Sequence, residues 1–135
     1  TDEAIVAALE GVGGTIKAAS GLVRGACLAD PNCDNADNTS IDLDGTSIDL
    51  QEGFASATEG GILLAAGIND GDTSDGTIND LERLEITGGT GFIRIKPSTG
   101  SNVPAGNDCA VVYRDSNSST FPGNPRVRVE VDSCP

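Results

Sequence analysis

Apolar residues near the start of the chain fall at Ile5, Leu9, Val12, Ile16, Ala19, Val23 and Ala26, in alternating steps of four and three. That spacing lays one continuous stripe along a helical surface and predicts a helix over residues 2–28. Asp2 and Glu3 sit where the helix dipole favours negative charge, Arg24 lies near the other end, and Pro31 stops the run. The same segment holds Gly11, Gly13, Gly14, Gly21 and Gly25. Each glycine inside a helix costs about 1 kcal/mol relative to alanine. Such a helix needs a sheet to lie on, or neighbours that use the close approach glycine allows.

The pattern then loses its period. Residues 30–51 read as a polar loop holding a short near-repeat, Ser40-Ile41-Asp42-Leu43-Asp44 and Ser47-Ile48-Asp49-Leu50-Gln51, whose alternation is compatible with short edge strands. A short second helix is expected over 56–68, entered at Thr58 and Glu59 and carrying Ile62, Leu63 and Ala66. From residue 82 the period becomes two. Leu84 and Ile86, then Ile93 and Ile95, flank Gly88-Gly89-Thr90-Gly91 and predict a β-hairpin. A third strand is expected from Cys109 to Arg114. A fourth carries Val127, Val129 and Val131 between Arg126, Arg128, Glu130 and Asp132. The expected fold is α+β: one long helix packed on a four-stranded antiparallel sheet, with a long loop region between them. A chain of 135 residues makes this one domain, divided as 1–29 helix, 30–81 acidic loop region and 82–135 sheet.

Charge sharpens the division. Of the 21 acidic residues, thirteen lie between Gly25 and Glu82, a stretch with no Lys or Arg; elsewhere acids and bases balance. A net charge of −13 argues against nucleic acid as a partner, because phosphate binding needs a basic face. The absence of histidine removes the usual general base and transition-metal ligand. Glycosidase chemistry by paired carboxylates is disfavoured by the scarcity of aromatic platforms, 3% of residues, and no enzyme activity is expected. No unbroken run of about 20 apolar residues marks a membrane span.

Four cysteines, Cys27, Cys33, Cys109 and Cys134, allow three pairings. An even count in a small acidic domain points to disulfides and an oxidising compartment. Local pairs are the most economical: Cys27 with Cys33 around the end of the helix, and Cys109 with Cys134 across the last two strands. One candidate metal site is Asp70-Gly-Asp72-Thr-Ser74-Asp75-Gly76-Thr-Ile-Asn-Asp80, where Asp70, Asp72, Asp75 and Asp80 offer the oxygen ligands calcium takes. It departs from the EF-hand loop, since Asp75 stands where that loop has glycine and Leu81 where it has glutamate, and an acidic turn satisfying its own backbone is the competing reading. Asp42 and Asp44 beside Gly45 are a weaker candidate. Asn38-Thr-Ser40 and Asn117-Ser-Ser119 match the glycosylation pattern. Arg94, Lys96, Arg126 and Arg128 are expected to project from one or both exposed sheet faces, where solvated strand positions are the default reading; in a repeating assembly they would meet the acidic middle segment of a neighbouring copy.

Three stretches carry a family resemblance: Glu10-Gly-Val-Gly-Gly-Thr-Ile-Lys-Ala-Ala-Ser-Gly-Leu-Val, Gly53-Phe-Ala-Ser-Ala-Thr-Glu-Gly-Gly-Ile-Leu, and Cys109-Ala-Val-Val-Tyr-Arg with Cys134 one residue from the end. Together with the order of helix, loop, late sheet and C-terminal disulfide, the chain resembles the globular domain of a type IV pilin, most closely the mannose-sensitive haemagglutinin pilins of Gram-negative bacteria. The resemblance implies that Thr1 lies just past the apolar helix half with which mature pilins begin, and that the chain is a soluble truncation or processed form. It further implies an extracellular, cell-surface filament subunit used for attachment. The partners would be other copies of the chain, packed through that N-terminal helix, which would also be the sole membrane contact before assembly. Without it the chain is expected to be monomeric. The alternatives are a calcium-binding secreted or surface module and a pseudopilin of a secretion machine.

Overall fold

The computed structural model describes residues 3–33, 40–68, 84–97, 108–118 and 126–134. Helix α1 spans Glu3–Ala29 and buries Ile5, Leu9, Val12, Ile16, Ala19 and Val23, six members of the expected stripe; at the end Cys27 takes the fully buried place and Ala26 is half-buried. Its length and hydropathy alone would also suit a membrane span, a property that a search for unbroken apolar runs misses. Of the large residues behind that hydropathy, Ile5, Leu9, Val12, Ile16 and Val23 lie against the rest of the protein, whereas Leu22 and Leu28 are exposed.

Two antiparallel sheets support the helix. The expected one is present, with strands β4 (Leu84–Gly89), β5 (Phe92–Pro97), β6 (Ala110–Arg114) and β7 (Val127–Glu130) in that spatial order. Register places Ile86 beside Ile95, Ile95 beside Val111 and Val111 beside Val129, so one face of the sheet is a continuous aliphatic row. That face meets α1 at Gly13: a Cβ there would collide with Cγ2 of Val129, so the missing side chain is what lets helix and sheet approach. The Cys109–Cys134 disulfide joins the residue before β6 to the chain beyond β7, with Cα atoms 4.9 Å apart.

The second sheet corrects the expectation of a single sheet and of a loop through residues 30–81. Strands β1 (Ser40–Leu43), β2 (Thr46–Gln51) and β3 (Phe54–Ala55) form a three-stranded meander in that order. Its turns are Asp44-Gly45, with φ of 50° and 85°, and Glu52-Gly53, with φ of 52° and 81°. Two-residue turns with positive φ at both positions match the right-handed twist of hairpin strands. Ile41 pairs with Ile48, and both are buried with Leu50, while Asp42 and Asp49 point outward.

After β3 the chain enters a wide helical turn, Glu59–Leu63, which runs into the short helix α2 (Leu64–Ala66). Leu63 N–H donates to the carbonyl of Thr58, five residues back, at 3.4 Å. Ile62 and Leu63 are fully buried, and Gly67 closes the helix at φ 72°.

Two side chains from the end of β6 fasten the sheets together. The Tyr113 hydroxyl donates to the Ala55 carbonyl at 2.6 Å. The buried Asp115 carboxylate accepts from the backbone N–H of Ala57 at 2.8 Å through Oδ2 and from that of Asn117 at 2.8 Å through Oδ1. Both bonds to the β3 region bridge 58 residues of sequence. A carboxylate accepting two N–H bonds is worth more than a neutral pair, and it satisfies backbone groups where the sheets separate.

Candidate functional site

Opposite its buried stripe, α1 carries a second one. Ala4, Ala7, Gly11, Gly14, Ala18, Gly21, Gly25 and Leu28 are all exposed and follow one another in alternating steps of three and four. A Cβ placed on Gly11, Gly14, Gly21 or Gly25 would meet nothing within 4 Å. The exposed large hydrophobics among the described residues are Leu22, 63% exposed, and Leu28, 65% exposed, and both are on this helix. The result is a smooth, uncharged strip from Ala4 to Leu28, opposite the stripe that packs on the other described residues. Counting the spacing of the small residues, rather than their number, would have revealed the strip in the sequence.

The four basic residues expected on the sheet do not act as one set. Arg94 and Arg128 lie on the outer face of the four-stranded sheet, in cross-strand register with Val112 between them. Lys96 shares that face and pairs with its cross-strand neighbour Glu85 at 3.8 Å. Arg128 pairs with Glu130 at 3.8 Å. The Arg94 guanidinium lies 5.1 Å from the centre of the Phe92 ring. Arg126 is elsewhere. It stacks on the Phe54 ring at 3.7 Å, where Arg24 also sits at 4.4 Å, and it donates to the Arg114 carbonyl at 3.2 Å. Arg24 in turn donates to the Gly53 carbonyl at 3.2 Å. Phe54 therefore ties α1, the β2–β3 turn and the start of β7 by cation–π contacts, a structural use of Arg126 that alternation alone does not reveal.

A further base, Arg114, joins the outer face. It is 5% exposed, and its pKa is lowered by burial first and then by the charges of Arg128 and Arg94. The outer face thus carries Arg94, Lys96, Arg114 and Arg128, with Glu85 and Glu130 paired to Lys96 and Arg128, and at its centre Ala110, Val112 and Arg114 are buried rather than open to solvent. Against it stands the three-stranded meander, where Asp42, Asp44, Asp49 and, in the β2–β3 turn, Glu52 are exposed and residues 40–68 contain no base. Asp49 lies against Gly60, leaving Asp42, Asp44 and Glu52 as its outermost carboxylates.

A cleft of about 410 Å³ opens between the Ala57–Glu59 segment and the end of the β4–β5 hairpin, lined by Ile86, Thr87, Gly88, Gly89 and Ile93. Asp70, Asp72, Asp75 and Asp80 lie outside the described residues, and no group of metal-binding side chains occurs among the described ones. Asn38 lies outside them too, whereas Asn117 is exposed in the turn after β6.

Comparison with protein families, with curated proteins and with solved structures finds no match. The functional reading therefore rests on this chain's own residues.

Proposed function

We propose that the chain is a structural subunit of an extracellular type IV pilus filament, a pilin whose function is surface attachment. The observation that carries this reading is the bare strip on α1. Four outward glycines destabilise the free helix by about 1 kcal/mol each, and alanine at those places would cost nothing in a solvated face. Their use makes sense where another helix approaches too closely for side chains, as in a bundle of identical helices at the centre of a filament. The arrangement of long N-terminal helix, antiparallel sheet and C-terminal disulfide is compatible with the pilin architecture. Two disulfides suit an oxidising, extracellular setting. Burial of an apolar helix half preceding Thr1 would supply most of the assembly energy, with the strip on α1 extending that contact.

The test is direct. Filaments sheared from the cells that encode this chain should contain it as a main component by mass spectrometry, and deleting its gene should remove them. Its encoded precursor should place a short basic leader and an apolar helix before Thr1. Recovery of the chain solely as a free soluble protein would refute the filament reading. A short assembly confined to the periplasm would assign it to the pseudopilins instead.

A further inference from the structure

The four-stranded sheet ends in an edge strand, β7, whose far side bonds to no described residue. The Arg114 N–H donates to the Arg126 carbonyl at 2.8 Å, and antiparallel pairing alternates from there. The backbone groups of Arg128 and Glu130 therefore turn toward β6, while those of Val127 and Val129 turn away from it. The edge reads Val127-Arg128-Val129-Glu130-Val131. Reversed about Val129 it is its own complement: valine meets valine, and arginine meets glutamate. We infer that β7 pairs antiparallel with β7 of a second copy, across a two-fold axis at Val129, and joins the two four-stranded sheets into one.

Charge fixes the register. With the axis at Val129, the two Val129 residues exchange N–H to carbonyl bonds, and Arg128 lies opposite Glu130 of the partner subunit on each side of the axis. An axis at Arg128 or at Glu130 would use the same open backbone groups but set like charges directly opposite, which is destabilising. Both side chains are within reach of a second copy: Arg128 is 43% exposed and Glu130 29%, and their contact along the strand is long, at 3.8 Å. Val127, Val129 and Val131 are half-buried, so the second copy completes the burial of the inner face. There α1 meets Val129 with Gly13, and Gly14 beside it is bare, so the helix presents backbone rather than side chains at that level. An unpaired edge is a template for another strand. A contact between identical patches is isologous and closes at two copies. The pairing needs no filament, so it stands apart from the filament reading; the family resemblance alone leads to a monomer.

The experiment is sedimentation equilibrium of the 135-residue chain at low salt, which should show monomer and dimer in exchange. Arg128→Glu and Glu130→Arg each set like charges opposite one another on both sides of the axis, and each should weaken the dimer about tenfold. The two substitutions together keep the strand its own complement and should restore association. Thermal melting of each variant in dilute solution reads the contact of Arg128 with Glu130 inside one chain separately from association. As a second measurement on the unsubstituted chain, hydrogen exchange at the Val129 N–H should slow as protein concentration rises. A chain that stays monomeric at millimolar concentration, folded single variants that associate as the parent does, failure of the double exchange to restore the dimer, or Val129 exchange independent of concentration would overturn the pairing.

Discussion

Gly13 and Gly14 are neighbours in sequence and face opposite environments, which makes them a test of the packing logic of α1. Replacing either by alanine gains the same helix propensity, about 1 kcal/mol. At Gly14 the new methyl group enters open space, so that gain is the whole effect. At Gly13 it meets Cγ2 of Val129, with Val129 Cβ at 3.6 Å and Val111 Cγ2 at 3.7 Å behind it. Valine has a stiff χ1 and cannot swing aside freely, and the row Ile95–Val111–Val129 fixes the backbone beneath it. Overpacking of this kind costs about 1–3 kcal/mol. Gly14→Ala should therefore stabilise the domain by about 1 kcal/mol, whereas Gly13→Ala should range from neutral to about 2 kcal/mol destabilising. Because the propensity gain is shared, the difference between the two variants isolates the helix–sheet contact. For a domain of this size 1 kcal/mol moves Tm by about 4 °C. Differential scanning calorimetry or urea unfolding of both variants reads the result. Equal Tm values would mean that α1 does not approach the sheet through Gly13, and a loss of stability at Gly14 would mean that the bare strip is already covered within the monomer.

Two other substitutions probe the joints of the fold. Asp115→Ala leaves the Ala57 and Asn117 N–H groups without their carboxylate and should cost about 3 kcal/mol in chemical denaturation, with Asp115→Asn recovering part of it. Removing the Cys109–Cys134 pair, separated by 25 residues, should cost about 3.5 kcal/mol by loop-closure entropy, against about 2.4 kcal/mol for the Cys27–Cys33 pair, separated by 6, so paired Cys→Ala variants should melt in that order.

The parts of the structure that were legible in the sequence are those where one periodic signal covers many residues. The helical stripe of α1 and the alternation in β4, β5 and β7 each repeat an apolar position several times, and the burial of one face dictates the rest. The three-stranded sheet was less legible because its strands are short and its apolar positions few. Yet Asp44-Gly45 between alternating residues is a strong hairpin signal, and it was obscured by the density of acidic residues around it. The candidate surfaces divide similarly. Arg94, Lys96 and Arg128 follow from strand alternation, and Arg114 follows from the same count along β6. Arg126 breaks the rule because it lies just before β7, where the chain is free to turn its side chain toward Phe54. That contact joins residues 72 positions apart and leaves no periodic trace.

Tyr113 links this packing to pH. It is the sole tyrosine of a chain without tryptophan, so phenolate absorbance reports on it alone. Its ring is fully buried and its hydroxyl donates to the Ala55 carbonyl. Burial raises its pKa above the ordinary value of 10.0, and the Asp115 charge acts in the same direction; hydrogen bonding with Ser20 and the charge and hydrogen bonding of Arg126 oppose them without winning. Ionisation would place a negative oxygen against a carbonyl oxygen and abolish the bond that joins the sheets. In the unfolded chain the phenol ionises near its ordinary value, while the folded chain holds the proton to higher pH. Between those two values the folded state binds more protons, so stability falls as pH rises. The contribution is complete below the unfolded value and is lost as pH rises through the folded one. Phenolate absorbance should therefore appear together with the loss of far-UV circular dichroism, above the pH at which free tyrosine titrates. Tyr113→Phe keeps the ring, loses the bond to Ala55 at a cost of about 1 kcal/mol near neutral pH, and should flatten the alkaline decline. Ionisation at the ordinary value with circular dichroism unchanged would show that the hydroxyl is open to solvent and that β3 is not held by it.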